Sequence, residues 1–339
     1  MPDRPGPPLA LTMGEPGGVG PELAFTAHAA LRAGGPEFFV IGDAKIFAAR
    51  GGKIAAIQSP AQTLQHFKDA LPVLDIGIPA KANVGVADPA SAPAVIASIE
   101  KAVEYALSGE ASAVVTNPIQ KASLIAAGFK HPGHTEFLEA LTATAPMPKG
   151  RRRGAVMMIA GPSLRTVPLT IHLSVVDAAR ALTSDLIVDK ALIVIEALKQ
   201  DFSVAAPRLA ISGLNPHAGE GGSIGLEDRD VIAPAVTRLR DQWGALVSGP
   251  LPADTMFHDE ARARYDAALC MLHDQALIPA KTLAFHDAVN VTLGLPIIRT
   301  SPDHGTALDI AGKGRANPAS LIAAIRLAAS MATARRRAA

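Results

Sequence analysis

Residues 9–33, LALTMGEPGGVGPELAFTAHAALRA, decide the fold. Leu9–Thr12 reads as a short strand, Gly14, Gly17, Gly18 and Gly20 as a turn, and PELAFTAHAALRA as a helix opened by Pro21, whose fixed φ suits a first helical turn. The same alternation recurs along the chain. Strand-type runs stand at Phe38–Ile41, Val73–Ile76, Ala113–Thr116, Leu209–Ser212, Ala267–Leu272 and Ile297–Thr300. Helical periodicities such as PAVIASIEKAVEYALSG and SDLIVDKALIVIEALKQ lie between them. Strands alternating with helices predict an α/β protein, a mostly parallel sheet with helices on both faces. One stretch differs. Ala155–Gly161 and Leu164–Leu173 are β-rich runs joined at Gly161-Pro162-Ser163, which predicts a hairpin and local antiparallel pairing.

Composition narrows the class. The chain has 339 residues, 49% apolar and 19% charged, which fits a folded chain with a large core. Lys plus Arg (32) balances Asp plus Glu (31), so no strong field favours nucleic acid or an anionic membrane, and any anion site has to be local. No apolar stretch approaches the ~20 residues of a membrane span, and no signal-type segment precedes the first turn. The single cysteine, Cys270, sits in the apolar run AALCML and reads as an inert core thiol. The expectation is a cytoplasmic protein. The runs Lys149–Arg153 and Arg335–Arg337 read as solvated charge.

Three histidines stand just past strand-type runs: His172 in LTIHLS, His217 in ISGLNPHAGEGG and His273 in CMLHDQ. Ligands of open α/β sheets bind beyond the carboxyl ends of strands, and imidazole is a common ligand of zinc and similar metals. The spacing matches no compact metal motif, and a single histidine at such a place is more often a surface or satisfied side chain. The turn TMGEPGGVGPE is neither a dinucleotide fingerprint nor a P-loop. Its glycines admit close backbone approach, either by a ligand or by another segment of chain. In PGHTEFLEALTA, Thr135 is placed to cap a helix, and a helix N-terminus beside His134 suits a phosphate or carboxylate. Lys281, Asn290 and Arg299 lie in apolar surroundings that hint at an anion site, although snorkelling or an internal ion pair is the commoner explanation of any one of them. Asp303–Pro318 is dense in turn formers and precedes a closing helix.

Taken together, TMGEPGGVGPE, VVTNPIQK, GHTEFL, GLNPHAGEGG, GPLPADTMF, MLHDQALIPAK and VNVTLGLPIIRTSPDHGTALDIAGKG make the chain resemble the 4-hydroxythreonine-4-phosphate dehydrogenases over nearly its whole length. The resemblance implies an isocitrate/isopropylmalate dehydrogenase-like α/β/α protomer of two interleaved lobes, approximately 1–130 with 295–339 and 131–294. It implies a homodimer with its active site at the interface. His172, His217 and His273 are then the ligands of one divalent metal per subunit (zinc, cobalt or magnesium), drawn from both protomers, with His172 and His217 expected from one and His273 from the other. His134, Thr135, Lys281, Asn290 and Arg299 are implied to bind a phosphorylated small-molecule substrate. The loop after Asp303 resembles an adenosine-binding loop, which places His304, Gly305, Thr306, Ala307 and Asn317 at NAD or NADP. Asp254, in the PADTMF turn, is the candidate general base. Where the resembling proteins have approximately THLPLRDV, this chain has IHLSVVDAA, which bears on the shape of the His172 loop.

The activity so implied is NAD-dependent oxidation of 4-phosphooxy-L-threonine to a 3-oxo acid that decarboxylates to 3-amino-2-oxopropyl phosphate, on the route to pyridoxine 5'-phosphate. Two kinds of alternative stand beside it. Related dehydrogenases oxidise threonate or erythronate 4-phosphate, or a carboxylated cis-dihydrodiol. A metal-dependent lyase or phosphate-handling transferase on a similar scaffold would need no nicotinamide.

Overall fold

The computed structural model describes residues 6–131 and 133–338. The chain divides into two compact units, residues 6–146 with 295–337 and residues 147–294. The first unit extends to residue 146 and does not stop near 130. The reason is helix His134–Thr142, which buries Phe137 and Leu138 and packs against helix Ala92–Ser108 of the same unit.

The first unit holds β1 (Leu9–Thr12), β2 (Phe38–Gly42), β3 (Ile54–Ile57), β4 (Leu71–Asp75), β5 (Val114–Val115) and the late strand β12 (Arg299–Pro302). They lie in the order β3-β4-β2-β1-β5-β12, and each of these neighbouring pairs is parallel. Strands β1, β2 and β5 are buried at every residue, as near-continuous apolar runs covered by helices on both faces should be, whereas β12 buries the polar side chains of Arg299, Thr300 and Ser301. Phe38, Phe39 and Phe47 are among the largest enclosed side chains, and burial of one such ring contributes roughly 1.5–3 kcal/mol. His28 joins this core. It packs edge-on against Phe38 and Phe67, its Nε2 donates to the Phe67 carbonyl at 2.6 Å, and burial holds its pKa below the ordinary value. Gly109, in the left-handed conformation at φ 79°, ends helix Ala92–Ser108.

The second unit holds β6 (Val156–Ala160), β7 (Arg165–Pro168), β8 (Arg208–Ser212), β9 (Leu246–Leu251), β10 (Ala267–Cys270) and β11 (Val289–Leu293). Their order is β11-β6-β7-β10-β8-β9. The hairpin is present: β6 and β7 are antiparallel, with Ile159 opposite Thr166, and Gly161 N–H donates to the Leu164 carbonyl at 2.8 Å. Strand β11 also runs antiparallel to β6, while β7, β10, β8 and β9 are mutually parallel neighbours. The carboxyl ends of β7, β10 and β8 therefore lie side by side on one edge.

The Lys149–Arg153 run is not simply solvated. Arg151 is buried and meets the equally buried Asp201 carboxylate through two 2.8 Å hydrogen bonds. Arg152 pairs with Glu196 at 3.3 Å and covers the Trp243 ring. Removal of either Arg151 or Asp201 would leave an uncompensated buried charge, so this pair fixes the entry to β6. Cys270 is fully buried and its thiol is pushed up to about 12, in keeping with an inert core residue. No helix among the described residues is long and apolar enough to cross a membrane.

Candidate active site

The second unit carries the three histidines at the shared edge. His172 follows β7, His273 follows β10 and opens helix His273–Ala284, and His217 follows β8. His172 and His217 are exposed, and His273 keeps 38% of its side-chain surface. Two of the three sit on strained backbone, His172 at φ 55° and His217 at φ 52°. His217 begins a run of five left-handed residues, His217 to Gly221, of which only Gly219 and Gly221 lack a Cβ. A left-handed conformation costs an L-residue of order 1–3 kcal/mol and persists where surrounding contacts enforce it, a pattern concentrated at functional sites.

Those contacts are visible. The Asp228 carboxylate is buried and accepts hydrogen bonds from Leu214 N–H at 2.8 Å, Asn215 N–H at 3.1 Å and the Asn215 side-chain amide at 2.9 Å. Gln275 ties the His217 and His273 segments together. Its Nε2 donates to the Gly213 carbonyl at 3.0 Å and its Oε1 accepts from Leu272 N–H at 3.0 Å. Thr170 Oγ1 donates to the Met271 carbonyl at 2.8 Å and fixes the approach to His172 from the other side. The sequence departure after His172 forms a short helix, Val175–Arg180, capped by Ser174, whose hydroxyl oxygen accepts from Asp177 N–H.

Within one chain the rings of His172 and His273 lie 6.1 Å apart, centroid to centroid. Among the described residues of the single chain, no group of three or more His, Cys, Asp or Glu side chains is placed to hold a metal ion. Solvent-facing imidazoles, two of them on enforced backbone, nevertheless suit metal ligation, because nitrogen donors held apart from the core are accessible to an ion. Asp254 is exposed in the short turn Ala253–Thr255. Lys281 lies on helix His273–Ala284 and Asn290 on β11, both half-buried.

The first unit carries the other candidates. Arg299 starts β12 and is 4% exposed; its Nε and Nη2 donate to Thr116 Oγ1 at 3.1 and 2.7 Å. Burial pulls its guanidinium down to about 10, which leaves it charged at neutral pH. His134 is the first residue of its helix, and Gly133, extended at φ −174°, is the N-cap. The capping residue is therefore Gly133 and not Thr135, and no side chain makes the cap hydrogen bond. Burial holds the His134 pKa well below its ordinary value, and the positive charges of Arg299 and Lys121 add to the effect. Its Nε2 is enclosed and has no partner. A neutral, desolvated imidazole facing cations is the arrangement an anion would relieve, since negative charge there favours protonation and gives Nε2 an acceptor.

The glycine turn lies against the loop that follows β12. Val19 N–H donates to the Thr306 carbonyl at 3.0 Å, and a Cβ on Gly18 would fall 2.7 Å from that oxygen. Gly14, at φ 71°, leaves no room for a side chain beside Asn117. Thr306 is buried and its hydroxyl donates to Gln120 Oε1 at 3.4 Å; Ala307 is left-handed at φ 45°. His304 Nδ1 donates to the Gly305 carbonyl at 2.9 Å and its Nε2 is enclosed without a partner; Gly305 is exposed. Asn317 Oδ1 accepts from Ala319 N–H at 3.0 Å at the start of the closing helix. Sequence reasoning gave no role to Thr116, Asn117, Glu15, Asp228 or Gln275. Asn117 is wholly buried with an unpartnered Oδ1, and burial raises the pKa of Glu15 in the glycine turn. Polar residues immediately after an apolar strand, as in VVTNP, were the available signal.

Exposed and part-exposed imidazoles past three parallel strands, two of them on strained backbone, and a buried arginine held by Thr116 where β5 ends are the features of an open α/β enzyme that works beyond the carboxyl ends of its strands. The family model described as Pyridoxal phosphate biosynthetic protein PdxA matches residues 36–328. The chain belongs to that family. It is 55% identical over 330 residues, 97% of this chain and 98% of the other, to a 4-hydroxythreonine-4-phosphate dehydrogenase of Caulobacter vibrioides. A crystal structure of 4-hydroxythreonine-4-phosphate dehydrogenase from Klebsiella pneumoniae superposes with a TM-score of 0.82 at 33% identity, covering 96% of this chain and 99% of that one. A terephthalate 1,2-cis-dihydrodiol dehydrogenase from Burkholderia xenovorans LB400 is less similar, with a TM-score of 0.64 at 28% identity over 95% of this chain and 97% of that one.

Proposed function

We propose that this chain is a 4-hydroxythreonine-4-phosphate dehydrogenase, which oxidises 4-phosphooxy-L-threonine with NAD or NADP and a divalent metal and releases CO2 and 3-amino-2-oxopropyl phosphate. The observation that carries the reading is the buried anion site. Arg299 held by Thr116, with the unpartnered His134 Nε2 facing positive charge, calls for a ligand of high negative charge. A phosphate dianion, with three acceptor oxygens, meets that demand more fully than the carboxylate of a carboxylated cis-dihydrodiol.

His134, Thr135, Lys281, Asn290 and Arg299 bind the substrate in this reading, and the phosphate end fixes its orientation at a distance from the reacting carbon. His172, His217 and His273 hold the metal. The 6.1 Å between the His172 and His273 rings of one chain supports a second grouping, those two ligands from one protomer and His217 from its partner, beside the His172–His217 pair that the resemblance implies. Exposed apolar side chains that follow His172, Leu173 at 50%, Val175 at 70% and Val176 at 57%, support a homodimer that covers this face. When bound, a divalent ion supplies Lewis acidity toward the substrate hydroxyl and the nicotinamide accepts the hydride. The chain's own part is to hold imidazoles and cations on enforced backbone, so that little reorganisation accompanies the reaction.

The substrate class is tested by steady-state NADH formation with 4-phosphooxy-L-threonine, threonate 4-phosphate and erythronate 4-phosphate. The expected outcome is the highest kcat/KM for the phosphorylated amino acid. A higher value for either hydroxy acid would keep the dehydrogenase and change its substrate.

A further inference from the structure

Two side chains outside the candidate ligand sets connect the glycine turn to the loop after β12. Glu22, in the first turn of helix Gly20–Leu31, accepts from Gly312 N–H through Oε2 at 2.7 Å. Arg50, at the end of helix Ala44–Ala49, donates from Nη2 to the Pro16 carbonyl at 2.6 Å. The carboxylate thus holds the loop, and the guanidinium holds the turn. Each is half-buried, and each keeps one enclosed atom without a partner, Glu22 Oε1 and Arg50 Nη1. Burial lowers the pKa of Arg50, and the nearby Glu22 carboxylate offsets part of that shift. Arg50 Nη1 also lies 3.9 Å from the position a Cβ would take on Gly312. That Cβ would collide with Val84 Cγ1 at 2.6 Å, and Gly312 is left-handed at φ 70°, so the loop can sit here only as glycine.

We infer that Glu22 and Arg50 form a latch that sets the spacing between the turn at residues 14–19 and the loop at residues 304–314, and through that spacing the affinity for the dinucleotide. The inference rests on reading residues 304–317 as the adenosine loop. Both are positioning residues. Opposite charges that anchor separate segments fix a distance only while both are present. With one removed, the other becomes a half-buried charge without compensation and draws water between the segments. Neither residue acts on the substrate hydroxyl or its phosphate, so the effect is confined to cofactor binding.

The test uses full-length, metal-loaded protein and ADP-ribose, which presents the adenosine end of the cofactor without the reacting ring. Calorimetry of Arg50→Met should show ADP-ribose binding weakened about tenfold, the loss expected for a hydrogen bond from a charged group. Turnover at saturating NAD and the KM for the phosphorylated substrate should stay within about twofold. Arg50→Lys, which keeps the charge, should recover most of the affinity. The double variant Glu22→Gln/Arg50→Met should bind no worse than Arg50→Met, because the latch is already open. Unchanged binding by Arg50→Met, or losses that add in the double variant, would overturn the latch. A loss matched by equal falls in turnover and melting temperature would overturn it too, by showing a general structural role. If the wild-type protein itself shows no binding of ADP-ribose, the adenosine-loop reading fails, an outcome distinct from the others.

Discussion

His217→Ala protein is expected to fold and to lose at least about a thousandfold in turnover, because a Lewis acid of the proposed kind contributes several kcal/mol to the barrier. His172→Ala and His273→Ala should do the same. The fold should survive, since His172 and His217 are exposed, His273 is only part-buried, and none belongs to the core. For His172 and His217 the substitution leaves the left-handed backbone in place, held by Asp228, Gln275 and Thr170. Stability near wild type with absent turnover is therefore the signature of a ligand. A chelator should reproduce the loss in the wild-type protein, and a divalent ion should reverse it. Full activity in protein shown to be metal-free by elemental analysis would remove the metal from the account.

The division of ligands between protomers adds a sharper outcome. If His172 and His273 come from one chain and His217 from the other, His172→Ala and His217→Ala chains refolded together give mixed dimers with one intact site. Random pairing makes about half the dimers mixed, so about a quarter of wild-type activity returns. His172→Ala with His273→Ala returns nothing, because both defects lie in the same protomer's pair. The opposite pattern would restore the His172–His217 grouping expected from sequence. No recovery in either mixture, with heterodimers verified by mass spectrometry, would place the site in a single chain.

Arg299→Ala should lower kcat/KM for the phosphorylated substrate at least about tenfold, since hydrogen bonds to charged groups contribute roughly 1.5–3 kcal/mol each. The buried guanidinium already spends two donors on Thr116, which fix its plane. An Arg299→Lys protein should recover little, because an ammonium lacks that fork. The loss should be much smaller for a substrate analogue without the phosphate. Equal losses for both compounds would mean that Arg299 supports β12 and does not bind an anion.

The parallel sheet and the hairpin were legible because local pattern determines them: short apolar runs, helical periods and a Gly-Pro-Ser turn. Strands β3, β9 and β11 were not read as strands. Ile54–Ile57 is half alanine, Leu246–Leu251 carries an internal Gly-Pro, and Val289–Leu293 reads only as an apolar stretch. The helix starts at His134 without a signal in the sequence, since Gly133 takes the extended cap conformation with no side-chain bond. The buried Arg151 looked solvated because its partner, Asp201, lies 50 residues away. For the same reason the supports of the histidines escaped notice. Asp228 and Gln275 act through contacts between loops, and the left-handed turn at His217 has no sequence signature beyond its two glycines. Candidate ligands could be named from the chain, but the backbone that presents them could not.

The most direct measurement is the stoichiometry of the reaction itself, made with metal-loaded protein, NAD and 4-phosphooxy-L-threonine. NADH and CO2 are expected in equal amounts, one of each per substrate consumed, and neither after chelation. Folded protein of verified metal content that binds the substrate yet forms no NADH, with NAD or with NADP in its place, would contradict the proposed activity.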